Sequence, residues 1–285
     1  MLSEELTGVL PAHKKLPDYL KRVKGVEVVG VRVELDWHRG GALISSLLRE
    51  INRWLEEEGE EMVIAFDEAQ LLRAMKRGKG GMDFRKLLAY AYDNLERIKF
   101  VLTGSEVGLL MDFVGSEDRR SPLHGRYREE IALRKFDRET SLEFLRRGFR
   151  EQGIDPSPEV LERAVDSFDG VVGWLTYFGH AAVSAGRLDG DVLERVVNEA
   201  KRVIEAELAK VFQRSKYYRL ILQAIGAGNH RWVEIKRTVE AWSGVYVSNA
   251  QLTRLLRSLE KLSIVEKVED SYFLSDPLIG KAVGL

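Results

Sequence analysis

The chain has 285 residues, 45% apolar and 31% charged, with a net charge of −1. That is enough to bury two or three cores, too apolar for a disordered chain, and without a global field drawing it to nucleic acid or membrane. No cysteine excludes disulfides, thiolate metal sites and cysteine nucleophiles, and the five histidines show no zinc-ligand spacing.

No apolar run approaches the roughly 20 residues of a membrane span. Met1–Glu5 lacks the basic start of a signal peptide, so a cytoplasmic protein with no membrane partner is expected. Residues 1–24 are weakly patterned, with Pro11 and Pro17 breaking any long helix. Val29, Val31, Val33 and Leu35 then alternate with polar or small residues, the pattern of an edge strand or hairpin. From Ala42 to Glu58, Leu43, Leu47, Ile51, Trp54 and Leu55 recur at helical spacing, and Gly59 ends the helix.

The run Met62-Val63-Ile64-Ala65-Phe66 follows and stops at Asp67-Glu68. An uninterrupted apolar run reads as a parallel strand buried on both faces. Ligands of open α/β sheets collect outside the carboxyl ends of such strands, where two carboxylates are costly unless they hold a cation or move a proton. The basic, glycine-rich stretch from Lys76 to Gly81 lacks the Ser or Thr of a phosphate loop and reads as an exposed connection. A second helix, marked by Phe84, Leu87, Leu88, Ala91, Tyr92 and Leu95, leads to a second strand ending in Leu102-Thr103-Gly104-Ser105. Parallel strands joined by helices share an edge, so Asp67, Glu68, Thr103 and Ser105 are expected to cluster. A further short apolar segment, Ile131-Ala132-Leu133, lies after Arg126.

Residues 137–213 carry only helical patterns, with Ser157-Pro158 as an N-cap and first-turn proline and Gly170 placed as a helix stop. Beyond them come helices at Tyr217–Ile225 and Trp232–Trp242, a third capped by Ser248-Asn249, and strands at Ser263–Val268 and Tyr272–Leu274. That order reads as a winged helix-turn-helix, whose third helix enters a major groove. Gln251, Arg254, Arg257 and Lys261 fall on its exposed side. Val211–Leu285 holds eleven Lys and Arg against seven Asp and Glu, which favours DNA, whereas the acidic wing Glu266–Asp270 opposes phosphates. Winged helices also serve as protein-packing modules.

Val63 to Gln70, Leu102 to Leu110 and Ser121-Pro122-Leu123-His124-Gly125-Arg126, with Phe136-Asp137, Gly170 and Gly173-Trp174-Leu175, resemble the archaeal P-loop ATPases of the AAA+/STAND type. The resemblance implies an α/β fold: an incomplete P-loop NTPase parallel sheet over residues 1–135, a helical lid over 136–213 and a winged helix over 214–285. It implies ATP and Mg²⁺ as cofactors, Asp67 as the Walker B metal ligand and Glu68 as the residue that polarises the attacking water. Thr103 and Ser105 fall at the sensor-1 position, and Arg126 is the candidate transition-state arginine. One departure stands against these matches: no Gly-Lys-Ser or Gly-Lys-Thr occurs. The expectation is a chain truncated before its P-loop, weak or inactive in hydrolysis. The alternatives are a winged-helix DNA-binding regulator and an interaction scaffold working with protein partners or an intact paralogue.

Overall fold

The structure, a computed structural model, describes residues 26–29, 32–35, 41–76, 82–115 and 118–284. The readings of residues 1–24 and of the glycine-rich loop at 77–81 lie outside them. The chain divides into two compact units, one ending at Glu129 and one running from Glu130. The sections expected at 136–213 and 214–285 thus share one unit.

In the first unit, β1 (Val26–Val29) and β2 (Arg32–Leu35) form an antiparallel hairpin, as the alternation predicts. Helix α1 (Gly41–Glu58) turns Ile44, Leu47, Leu48, Ile51, Trp54 and Leu55 inward, the three-and-four spacing of one buried stripe. Strand β3 (Met62–Phe66), a 3₁₀ segment (Ala69–Lys76), α2 (Phe84–Asn94), β4 (Ile98–Leu102) and α3 (Val107–Val114) follow. Asp83 caps α2 by accepting from the Arg85 amide at 3.2 Å. Asn52 ties α1 to the turn before β4, its Oδ1 accepting from the Arg97 amide at 3.0 Å.

Strands β3 and β4 pair in parallel, Met62 opposite Ile98 through Phe66 opposite Leu102. Their inward row is Met62, Ile64, Phe66, Ile98, Phe100 and Leu102, packed on α1 and α2, with Phe66 edge-on to Phe84 at 4.9 Å between ring centres. The outward row is bare. Val63 is 62% and Val101 47% exposed, and Ala65 lies open between them. This corrects the expectation of a strand buried on both faces. A fully buried Val, Leu or Phe side chain contributes about 1.5–3 kcal/mol, so the inward row holds the pair and the outward row adds little.

In the second unit, α4 (Arg138–Glu151), α5 (Pro158–Phe168), α6 (Val172–Ala185) and the long α7 (Gly190–Phe212) pack around Phe149, Phe168 and Phe178. Asp137 caps α4 through the Thr140 amide at 2.7 Å. Helix α5 stops at Asp169, itself left-handed with φ 46°, ahead of the Gly170 that the sequence pointed to. Gly170, φ 73°, serves a different end: a Cβ there would sit 1.9 Å from the Phe136 carbonyl oxygen.

Helices α8 (Tyr217–Gly226), α9 (Trp232–Ser243) and α10 (Asn249–Lys261) precede the hairpin of β5 (Val265–Val268) and β6 (Ser271–Leu274), the winged-helix order. A short α11 (Pro277–Ala282), absent from the sequence reading, closes the chain and packs on α7. One continuous core runs from Leu145 to Val283, so the helical section and the winged helix are a single packed body. Among the described residues no helix is long and apolar enough to cross a membrane. Ile131-Ala132-Leu133 forms no strand and its apolar side chains are exposed.

Candidate functional site

The carboxyl ends of β3 and β4 bring four of the expected residues together. The ladder continues one rung past the strands, the Thr103 amide donating to Phe66 O and the Ala69 amide to Thr103 O, both at 2.9 Å. That rung sets Thr103 beside Asp67, and its Oγ1 donates to Asp67 Oδ1. The Glu68 amide donates to the same oxygen at 3.1 Å. Asp67 Oδ2 takes no hydrogen bond from a described residue, and Asp67 is exposed, as are Val63 and Ala65.

Glu68 is held differently. Its backbone is left-handed, φ 48°, a conformation that costs a non-glycine residue about 1–2 kcal/mol. Its Oε1 accepts from the Ser105 backbone amide at 3.1 Å and its Oε2 from Gln70 Nε2. Ser105 therefore reaches Glu68 through its main chain.

Gln70 ends the run Val63 to Gln70 in the sequence, where no role was assigned to it. It is only 5% exposed, and its Oε1 is buried without a partner among the described residues. A Cβ on Gly104 would lie 2.5 Å from that oxygen. Glycine is thus what lets the Gln70 amide slide beneath the end of β4 and meet Glu68.

Arg126 does not join this cluster. Its Nε donates to Asp93 Oδ1 at 3.0 Å, its Nη2 pairs with Asp93 Oδ2 and its Nη1 meets the Pro122 carbonyl. The guanidinium carbon lies 6.0 Å from the Tyr92 ring centre. Hydrogen bonding from Arg126 holds the Asp93 carboxyl below its ordinary range. Asp93 stands in the last turn of α2, which leads into the amino end of β4. The strands rise about 3.3 Å per residue, so Arg126 sits at the sheet edge opposite Asp67. The candidate transition-state arginine is thus paired with Asp93 in this structure.

Among the described residues no three or more Asp, Glu or His side chains are grouped to hold a metal. Asp67 offers one free carboxylate oxygen, which fits Mg²⁺ only where phosphate oxygens and water fill its other positions. A phosphate cradle needs consecutive backbone N–H groups at a helix start and a lysine. The sequence has no Gly-Lys-Ser or Gly-Lys-Thr to build one. The residues present fit the carboxylate half of a Mg·nucleotide site and not the phosphate half.

In the second unit, α10 buries Leu252, Leu255, Leu256 and Leu259 and leaves Arg254, Arg257 and Lys261 exposed, with Gln251 half-buried. Ser248 caps it through the Gln251 amide at 3.2 Å. Trp242, in the last turn of α9, and Tyr246, in the turn before α10, are also exposed, and Lys236 Nζ lies 4.7 Å from the Tyr246 ring centre.

Residues 9–178 match the family described as an ATPase domain predominantly from Archaea. Residues 212–275 match that of the C-terminal winged helix-turn-helix domain of MCM proteins. Among solved structures, the chain is similar to a Walker-type ATPase of Pyrococcus abyssi at 39% identity, over 85% of this chain and 68% of that one, with a TM-score of 0.77. It also resembles the ORC2 protein of Aeropyrum pernix, solved as ADPNP–ADP complexes, at 17% identity over 86% of this chain and 69% of that one, TM-score 0.54. That second likeness is one of fold alone. No curated protein matches the chain.

Proposed function

The chain belongs to the family of ATPase domains found predominantly in Archaea, and from that premise we propose that Asp67 and Glu68 are its Walker B pair, held ready but idle. In this reading Asp67 Oδ2 is the metal-ligating oxygen and Thr103 fixes its partner oxygen. Glu68 is the proton acceptor for an incoming water, and the Ser105 amide and Gln70 hold it in place. Bound Mg·ATP would supply the phosphate to be transferred and the cation that neutralises it. The observation that carries the reading is the Thr103–Asp67 hydrogen bond at the carboxyl edge of a parallel pair, in a sequence without a phosphate loop. Isothermal titration of the full chain with Mg·ATP is expected to give a dissociation constant weaker than about 1 mM, roughly −4 kcal/mol. Micromolar affinity in this chain would overturn it.

A second reading rests on α10 and places duplex DNA against Gln251, Arg254, Arg257 and Lys261. Its support is the outward arginine pair on a capped recognition helix. Each phosphate contact steepens the salt dependence of log K by about 0.9. The double variant Arg254→Ala, Arg257→Ala should flatten the slope by about 2, measured by anisotropy on a labelled duplex. Salt-independent or absent binding retires this reading.

A further inference from the structure

Water penalises a bare apolar ring, so neighbouring rings that a rigid frame holds out in solvent mark a surface with something to meet. The turn between α9 and α10 is such a frame. The Gly244 amide donates to Glu240 O at 2.9 Å and the Val247 amide to Glu240 Oε1 at 3.0 Å. Ser243 Oγ braces the corner, accepting from the Val245 amide at 3.3 Å and donating to Val245 O at 3.2 Å. Gly244 takes φ 66° to make the bend, and Val247 is fully buried. Yet Trp242, before the bend, is 50% exposed, and Tyr246, after it, 74%.

The charge around the two rings narrows what they could meet. Residues 236–258 carry Lys236, Arg237, Arg254 and Arg257 against the one carboxylate of Glu240. That carboxylate is already engaged, by the Val247 amide and by Lys236 at 3.0 Å. Lys236 Nζ also lies over the Tyr246 ring, a cation–π contact that sets positive charge beside it. Arg237 is exposed on α9. The wing has the opposite sign: Glu266, Glu269 and Asp270 are exposed, while Lys267 Nζ lies 5.8 Å from the Tyr272 ring centre. A duplex is broad and brings phosphates toward helix and wing together, and the wing repels them. A single strand follows one narrow track and turns its unpaired bases onto aromatic rings, with cations alongside for its phosphates.

We propose that the turn between α9 and α10 is a binding site for single-stranded nucleic acid. Unpaired bases stack on Trp242 and Tyr246, and Lys236 and Arg237 draw the flanking phosphates. The site is distinct from the outward face of α10 considered above for duplex DNA, and it does not depend on the reading of Asp67.

The test is anisotropy of labelled dT and rU strands of about 20 nucleotides, long enough for one such site, titrated with the full chain. Saturable binding below about 50 μM is expected at low salt. Trp242→Ala and Tyr246→Ala should each weaken it by about five- to a hundredfold, the range for losing one stacked base, whereas Trp242→Phe keeps a ring and most of the affinity. Arg237→Ala should flatten the slope of log K against log salt by about 0.7. A strand of the same length without bases keeps every phosphate and should bind about tenfold or more weakly. Both rings stand in solvent, and circular dichroism checks that the variants fold.

Binding that depends on the rings supports the proposal, and the tighter of dT and rU identifies the nucleic acid. Equal binding of the strands with and without bases, or affinity unchanged in both alanine variants, overturns it. A duplex bound more tightly than either strand, with the ring variants unaffected, assigns the basic surface to duplex alone and also overturns it. Absence of binding to every oligonucleotide overturns it and leaves the rings to a protein partner.

Discussion

Glu68 and Gln70 show how a single glycine can set the geometry of two side chains. Gly104 has no Cβ, so the Gln70 amide lies under the end of β4 with Nε2 on Glu68 and Oε1 buried. Gly104→Ala forces that amide out or shifts Leu110, whose Cβ lies 3.2 Å from the new atom. Overpacking of this kind costs about 1–3 kcal/mol. Adding Gln70→Ala removes the obstacle, so the double variant should be more stable than the sum of the two single changes implies, by about 0.5 kcal/mol or more. Thermal unfolding of the three variants reads this directly, and strict additivity would show that the two residues do not meet. Gly170 is the contrasting position. Its close neighbour is the Phe136 backbone, which no rotamer change can move.

At the scale of elements, Asp276 does two things. One carboxylate oxygen accepts from the Leu278 amide at 2.8 Å and caps α11; the other accepts from Trp174 Nε1 of α6 at 2.6 Å. Losing a cap costs about 1 kcal/mol and stranding a half-buried indole donor about 1–3. Asp276→Ala should therefore destabilise the second unit by about 2–4 kcal/mol, while Asp276→Asn retains most of that stability. Chemical denaturation followed by tryptophan fluorescence separates the two.

Elements of this kind were unevenly legible in the sequence. The helical stripes of α1 and α10 were plain, because a buried stripe in an amphipathic helix writes its period into the chain. Strand β3 was legible as a strand and misleading about its surroundings. Five apolar residues in a row predict two covered faces, and that pattern records what a strand is suited to meet, not what it meets. The Asp67–Thr103 pairing followed from topology alone. The Arg126–Asp93 pair did not, since 33 residues separate the partners and neither carries a local signature. Helix α11 escaped notice for want of length: six residues cannot display a period.

For the whole molecule, the helical section and the winged helix share one buried core. Ile204, Leu208 and Val211 of α7 share a core with Leu222 and Ile225 of α8 and with Leu278 and Ile279 of α11. The segment Glu130–Leu285, expressed alone, should fold and unfold in one cooperative step by circular dichroism. Two resolved transitions would restore the division near residue 213.

The shared core has a mechanical consequence. A winged helix on a tether can turn freely and pass little force to the rest of its chain. Here α11 is clamped between α5, α7 and α8, and the Trp174–Asp276 bond rivets it to α6. A pull or twist applied at α10 is therefore shared with the helices of the same core instead of being lost in a tether.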